Sequence, residues 1–106
     1  MDERLPTGVL VSALLRRVND AGGFGTVLAK GDAQAGAVLV VAVAGGETRV
    51  LERGIGPDGR VGLIDSTPTD GLVDYWRRRR QRDPDLWVIE LDIPDAPRFA
   101  AETLAG

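Results

Sequence analysis

The 106 residues suffice for one domain, here taken as a single α+β domain over 1–106, and the 43% hydrophobic and 27% charged content is ordinary for a soluble globular protein. No cysteine and no histidine occur, which excludes disulfides, Cys–His and Ser–His–Asp catalysis, iron–sulfur ligation and an ordinary zinc site. The net charge of −3 argues against bulk affinity for nucleic acid or an anionic membrane.

The opening "MDERLPTG" is acidic and lacks the charge pattern of a signal peptide. A helix is predicted from Thr7 to Ala21, because Leu10, Val11, Leu14, Leu15 and Val18 recur at three- and four-residue spacing. Thr7 is its expected N-cap and Gly22-Gly23 its stop. Gly25–Lys30 reads as a short strand, followed by a hairpin-type turn over Gly31–Gly36. Ala37–Val43 is apolar at every position, the pattern of a central strand buried on both faces. It is also far too short to span a bilayer, and a cytoplasmic location is expected.

Ala44–Glu47 is a tight turn, and Thr48–Arg53 returns as a more charged strand expected nearer an edge. A loop over Gly54–Gly59 and a further strand over Arg60–Asp65 follow. The second helix is expected to open on a capping box at Thr67, with Pro68 next and Asp70 three residues on, and to end at Pro84. Leu86–Ile93 is the clearest strand, with Trp87, Ile89 and Leu91 on one face. Asp95–Leu104 reads as a last helix capped by Asp95, with Phe99 and Leu104 facing inward. The resulting order is helix, an antiparallel meander of three or four strands, helix, strand, helix. This predicts a mixed sheet flanked by helices on both faces, the last strand reaching a parallel neighbour through the helical crossover.

The run Arg77–Arg80 is the most conspicuous motif. At about 100° per residue its cations surround the helix and do not line one face. Leu72, Val73 and Trp76 are expected to form the buried stripe, with Arg79 and Arg80 continuing it along their aliphatic stems. Asp74 is placed to pair with Arg78, and only pairs such as Arg78–Arg82 meet the three- or four-residue spacing of a phosphate-tracking stripe. From Asp74 to Asp85 five arginines meet three aspartates, a local charge of +2. This reads as the solvated, dipole-matched end of a helix, with anion binding and nucleic-acid binding through Arg77–Arg82 as rival readings. Glu90 and Asp92 share a strand face, and with Asp83 and Asp85 nearby they form a weak signal for a hard cation. Asp32 lies in a turn that can also face a ligand. "RGIGPDG" lacks the spacing of a phosphate-cradling loop.

Two blocks, Val11–Val41 and Arg77–Asp92, resemble the signature blocks of a bacterial domain-of-unknown-function family, the one numbered 1491. The recognisable parts are Leu15-Arg16-Arg17, Gly31-Asp32 with Ala35-Gly36, and Asp83 through Trp87. The middle, Gly45–Asp70, matches less well. The resemblance implies no activity, substrate, cofactor or catalytic residue. Members resembling this chain vary more in the arginine run than in Asp-Pro-Asp-Leu-Trp, which favours the Asp83–Asp85 corner.

The leading expectation is a non-catalytic interaction or regulatory domain that binds a protein partner or forms a homo-oligomer through a sheet edge. No membrane association, metal or cofactor is expected. The candidate ligand or interaction corner comprises Asp83, Asp85, Trp87, Glu90, Asp92, Arg78, Arg82 and Asp32. An alternative is an acyl-CoA or anionic small-ligand domain, since the element order is similar to the core of the acyl-CoA-dependent N-acetyltransferases. Pyrophosphate would then sit at Ser66–Asp70, although the Arg/Gln-x-x-Gly-x-Gly/Ala loop is missing and Asp65 and Asp70 would repel it.

Overall fold

A computed structural model describes residues 5–105. The elements are α1 (Thr7–Asp20), β1 (Phe24–Ala29), β2 (Val38–Ala44), β3 (Glu47–Ile55), β4 (Val61–Asp65), α2 (Leu72–Arg82), β5 (Trp87–Asp92) and α3 (Ala96–Leu104). The five strands form one mixed sheet in the order β1-β5-β2-β3-β4. β2 runs parallel to β5, and every other pairing is antiparallel. The α+β architecture expected from the sequence is therefore present, with β2 at the centre.

Strand alternation divides the core into two layers. On one face Val40, Ala42, Leu51, Trp87, Ile89 and Leu91 pack against Val11, Leu14 and Val18 of α1 and Ala96, Ala100 and Leu104 of α3. On the other, Leu39, Val41, Val50, Leu86 and Val88 pack under Leu72, Tyr75 and Trp76 of α2. The β2–β3 hairpin closes on Gly45 and Gly46, both at positive φ (61° and 83°). That geometry suits a tight two-residue turn and only glycine adopts it freely.

Several local expectations are corrected. Thr7 does not cap α1; Pro6 holds that position, and the Thr7 hydroxyl instead donates to the Gly36 carbonyl at 2.8 Å. No capping box opens α2 at Thr67. Ser66 N–H still donates to Val50 O on β3, and Thr67 Oγ1 accepts from Val50 N–H, so the chain stays extended alongside the sheet and the helix begins after Gly71. Val73 is 48% exposed, and the docked stripe is Leu72, Tyr75, Trp76 and Arg79, the i, i+3, i+4, i+7 set counted from the true helix start. Asp95 occupies the N-cap of α3 in the left-handed region, but its side chain makes no capping hydrogen bond. No ion pair joins Asp74 to Arg78 among the described residues. Among those residues, too, no helix is long and apolar enough to cross a membrane.

Candidate functional site

The Asp83–Trp87 corner is tied together from inside. The Asp32 amide donates to Asp85 O at 3.0 Å, and the Trp87 indole N–H donates to Asp32 O at 2.8 Å. Asp32 Oδ2 accepts from the Ala35 amide and Asp83 Oδ1 from the Asp85 amide, each closing a local turn. Arg80 gathers the carbonyls of Lys30, Pro84 and Leu86 on one guanidinium nitrogen. Gly31 and Gly36 both approach this corner so closely that an added Cβ would lie 2.2 Å from Asp85 O. Backbone groups of Asp32 and Asp85, the Trp87 indole and one oxygen each of Asp32 and Asp83 are thus engaged within the chain, the Asp85 carboxylate is exposed, and the corner acts as a joint between the Gly31–Gly36 turn and β5.

The other predicted site residues do not join it. Glu90 and Asp92 sit towards the opposite end of β5, Asp92 roughly 20 Å from Asp85 at the rise of a strand. Arg78, Arg82, Glu90 and Asp92 make no ion pair or side-chain hydrogen bond among the described residues, and no group of three acidic side chains is placed to hold a metal ion there. The Ser66–Asp70 segment, the place for pyrophosphate in an acetyltransferase-like core, is a loop with a bend at Thr69–Asp70 rather than the first turn of a helix.

Sequence reasoning missed a polar cluster under α2. Arg79 donates to both oxygens of Glu52, each at 2.8 Å, and to the Tyr75 hydroxyl at 2.7 Å; Ser66 Oγ donates to Glu52 Oε2 at 2.6 Å. The Arg79 guanidinium, with help from Ser66, holds the Glu52 carboxyl below its usual value, while Glu52 pushes Arg79 up. Beside it, the Thr67 hydroxyl and amide, with Arg49, draw Asp65 down to about 2. A sequence carries no cue that joins residues 27 positions apart on different elements. With all its acceptors engaged, this cluster fastens α2 to the sheet and leaves no free nucleophile or base.

Two features remain open. The first is the outer edge of β4. Ser66 N–H bonds Val50 O directly across the β3–β4 ladder, so antiparallel alternation turns the N–H and C=O groups of Val61, Leu63 and Asp65 away from β3. Large apolar side chains surround this edge: Ile55 is 72%, Val61 50% and Ile64 41% exposed. The opposite edge, β1, also exposes Phe24, Val27 and Leu28, but it is interrupted. A register shift falls between Val27 and Ala29, and Asn19 Oδ1 accepts from the Gly25 amide.

The second feature is a cavity of about 390 Å³ on the α1/α3 face, lined by the start of α1, the end of α3, the approach to β2 and Arg53 of β3. Leu5, Leu10, Val38 and Leu104 supply apolar wall, and Arg53 reaches it from β3. Arg53 Nε is buried with no hydrogen-bond partner among the described residues. A buried donor left unpaired costs about 1–3 kcal/mol, and more when its group is charged.

The family described as "Protein of unknown function (DUF1491)" matches residues 5–101. A crystal structure of a DUF1491 family protein from Caulobacter crescentus CB15 superposes with a TM-score of 0.78 at 38% identity, covering 91% of this chain and 94% of that one. An NMR structure of a DUF1491 family protein from the same organism gives 0.73 at 40% identity, covering 90% and 91%. The solution structure of a protein from A. tumefaciens gives 0.70 at 28% identity, covering 87% and 88%. No curated protein matches the chain.

Proposed function

The chain belongs to the DUF1491 family of proteins of unknown function, and from that premise we propose that it is a non-catalytic interaction domain that pairs with a second copy of itself along β4. The observation that supports this reading is the open edge formed by Val61, Leu63 and Asp65. Placed antiparallel with Leu63 opposite Leu63 of a second copy, each outward N–H meets an outward C=O, and Val61 lies opposite Asp65. The same register sets Ile64 opposite Gly62, where a Cβ would meet nothing within 4 Å. The edge is therefore complementary to itself in hydrogen bonding and in shape. The product is one continuous sheet in which the exposed apolar side chains beside β4 lose contact with water.

Light scattering on the full chain tests this reading, with twice the chain mass expected at tens of micromolar. Val61→Asp sets carboxylates opposite each other and should weaken the dimer. Val61→Lys sets a cation opposite Asp65 and should preserve it. Each cross-strand charge pair is worth about 0.2–1 kcal/mol, attractive in one variant and repulsive in the other, and a dimer contains two, so the dissociation constants of the variants should differ by about fourfold or more. A strict monomer, or equal behaviour of the two variants, would overturn the reading.

A further inference from the structure

We propose that the cavity between α1, α3 and β3 binds an aliphatic monocarboxylate, with Arg53 holding the carboxylate. The strand pattern explains how a cation comes to lie there. Leu51 and Arg53 share the face of β3 that looks towards α1 and α3. Leu51 is beneath the packed core, whereas Arg53 falls one strand period further on, where the cavity opens beyond the helix ends. Its neighbour Glu52 also borders the cavity, but its carboxylate is taken by Arg79 and Ser66 under α2 and is no counter-ion for Arg53. Among the described residues, Arg53 Nε is the buried side-chain polar atom that lacks a partner. Nε itself has no open surface, so a ligand is met by the two terminal Nη atoms, which make no hydrogen bond or ion pair among the described residues.

The walls set the rest of the ligand. One guanidinium presents a planar fork of donors, which suits the two oxygens of a carboxylate. Leu5, Leu10, Val38 and Leu104 require an apolar body. At the ~30 Å³ that a water occupies in the liquid, about 390 Å³ admits about a dozen non-hydrogen atoms. A medium-chain fatty acid has that size and that polarity. The cavity is built by a single copy and does not include β4, so this proposal stands or falls separately from the dimer.

The experiment is a titration of the full chain with sodium decanoate below its micelle-forming concentration. Calorimetry measures affinity, and amide chemical shifts locate the site. Decanol serves as the uncharged control, and Arg53→Met as the variant that keeps an apolar stem. Decanoate should saturate a single site, with shifts concentrated at Ala35–Val38, Arg53 and Leu104. Decanol should bind at least tenfold more weakly. Arg53→Met should lose at least tenfold for decanoate and leave decanol unchanged. Equal affinity for decanoate and decanol, unaltered decanoate binding by Arg53→Met, shifts scattered over the surface, or absence of saturation would each overturn the proposal. The comparison of decanoate with decanol needs only the natural chain, so it decides the matter even if the variant does not fold.

Discussion

Replacing Arg79 by Met removes the cation that fastens α2 to β3 while keeping most of the stem that packs beside Tyr75. α2 has no fully buried residue and rests on the half-buried Leu72, Tyr75 and Trp76, so its polar anchor carries an unusual share of the attachment. Arg79 and Glu52 are 30% and 21% exposed at the side chain and meet in a two-pronged contact at 2.8 Å. Fully exposed ion pairs contribute about 0.2–1 kcal/mol. Hydrogen bonds to charged groups contribute about 1.5–3 kcal/mol. The pair lies between those limits, and Arg79→Met should cost about 2 kcal/mol. For a domain of this size that lowers Tm by roughly 8–15 °C. Urea unfolding at pH 7 gives the free energy, and a cycle with Glu52→Gln isolates the pair, with an expected coupling of about 1–2 kcal/mol. A loss below about 0.5 kcal/mol, or strict additivity with Glu52→Gln, would refute the claim that this pair holds the helix down.

Acid should dissolve the same anchor. The folded-state pKa of Glu52 lies below 4.5, so its contribution is complete above that pH and disappears as pH falls through the folded value. The gap in stability between the natural chain and Arg79→Met should narrow below pH 4.5, and a gap independent of pH would count against the assignment. Asp65 adds an acid-sensitive contribution that is lost between 3.8 and about 2, visible as continued loss of stability in an Arg79→Met background. Gly31→Ala should cost about 2–3 kcal/mol or prevent folding, since the new methyl would lie 2.2 Å from Asp85 O; thermal unfolding reads this out. Trp87→Phe removes the indole donor from the Asp32 carbonyl, which keeps the Gly36 amide at 3.2 Å, and should cost about 1 kcal/mol by urea unfolding. Arg78→Ala with Arg82→Ala should change stability by less than about 0.5 kcal/mol, because neither side chain has a partner among the described residues.

The layers of this fold were legible because burial imposes period on sequence. The unbroken apolar run at β2 announced a strand covered on both faces, and Trp87, Ile89 and Leu91 declared their common side by alternation. Helix ends were less legible. Thr67 and Pro68 have the residue types of a helix start, yet Thr67 is occupied by the amide of Val50, a partner visible only after β3 and β4 have paired. The arginine run shows a similar division. Helical geometry correctly disperses its charges, but no local rule reveals that Arg79 reaches Glu52 or that Arg80 gathers three carbonyls of the β5 corner. The candidate site was obscured for the same reason. Asp32, Asp83, Asp85 and Trp87 do meet, yet they are joined through backbone groups and local turns, whereas Arg53 looks in the sequence like one charge among many on a strand near an edge. Its orphaned donor appears only when α1, α3 and the sheet enclose it.

Amide hydrogen exchange at Leu63 tests the central claim most directly. Its N–H points away from β3 and has no acceptor among the described residues. If β4 pairs with β4 of a second copy, the Leu63 amide is slow to exchange, and its protection rises with protein concentration while that of Ile64, already bonded to β3, changes little. Rapid exchange at Leu63 at every concentration would contradict the account.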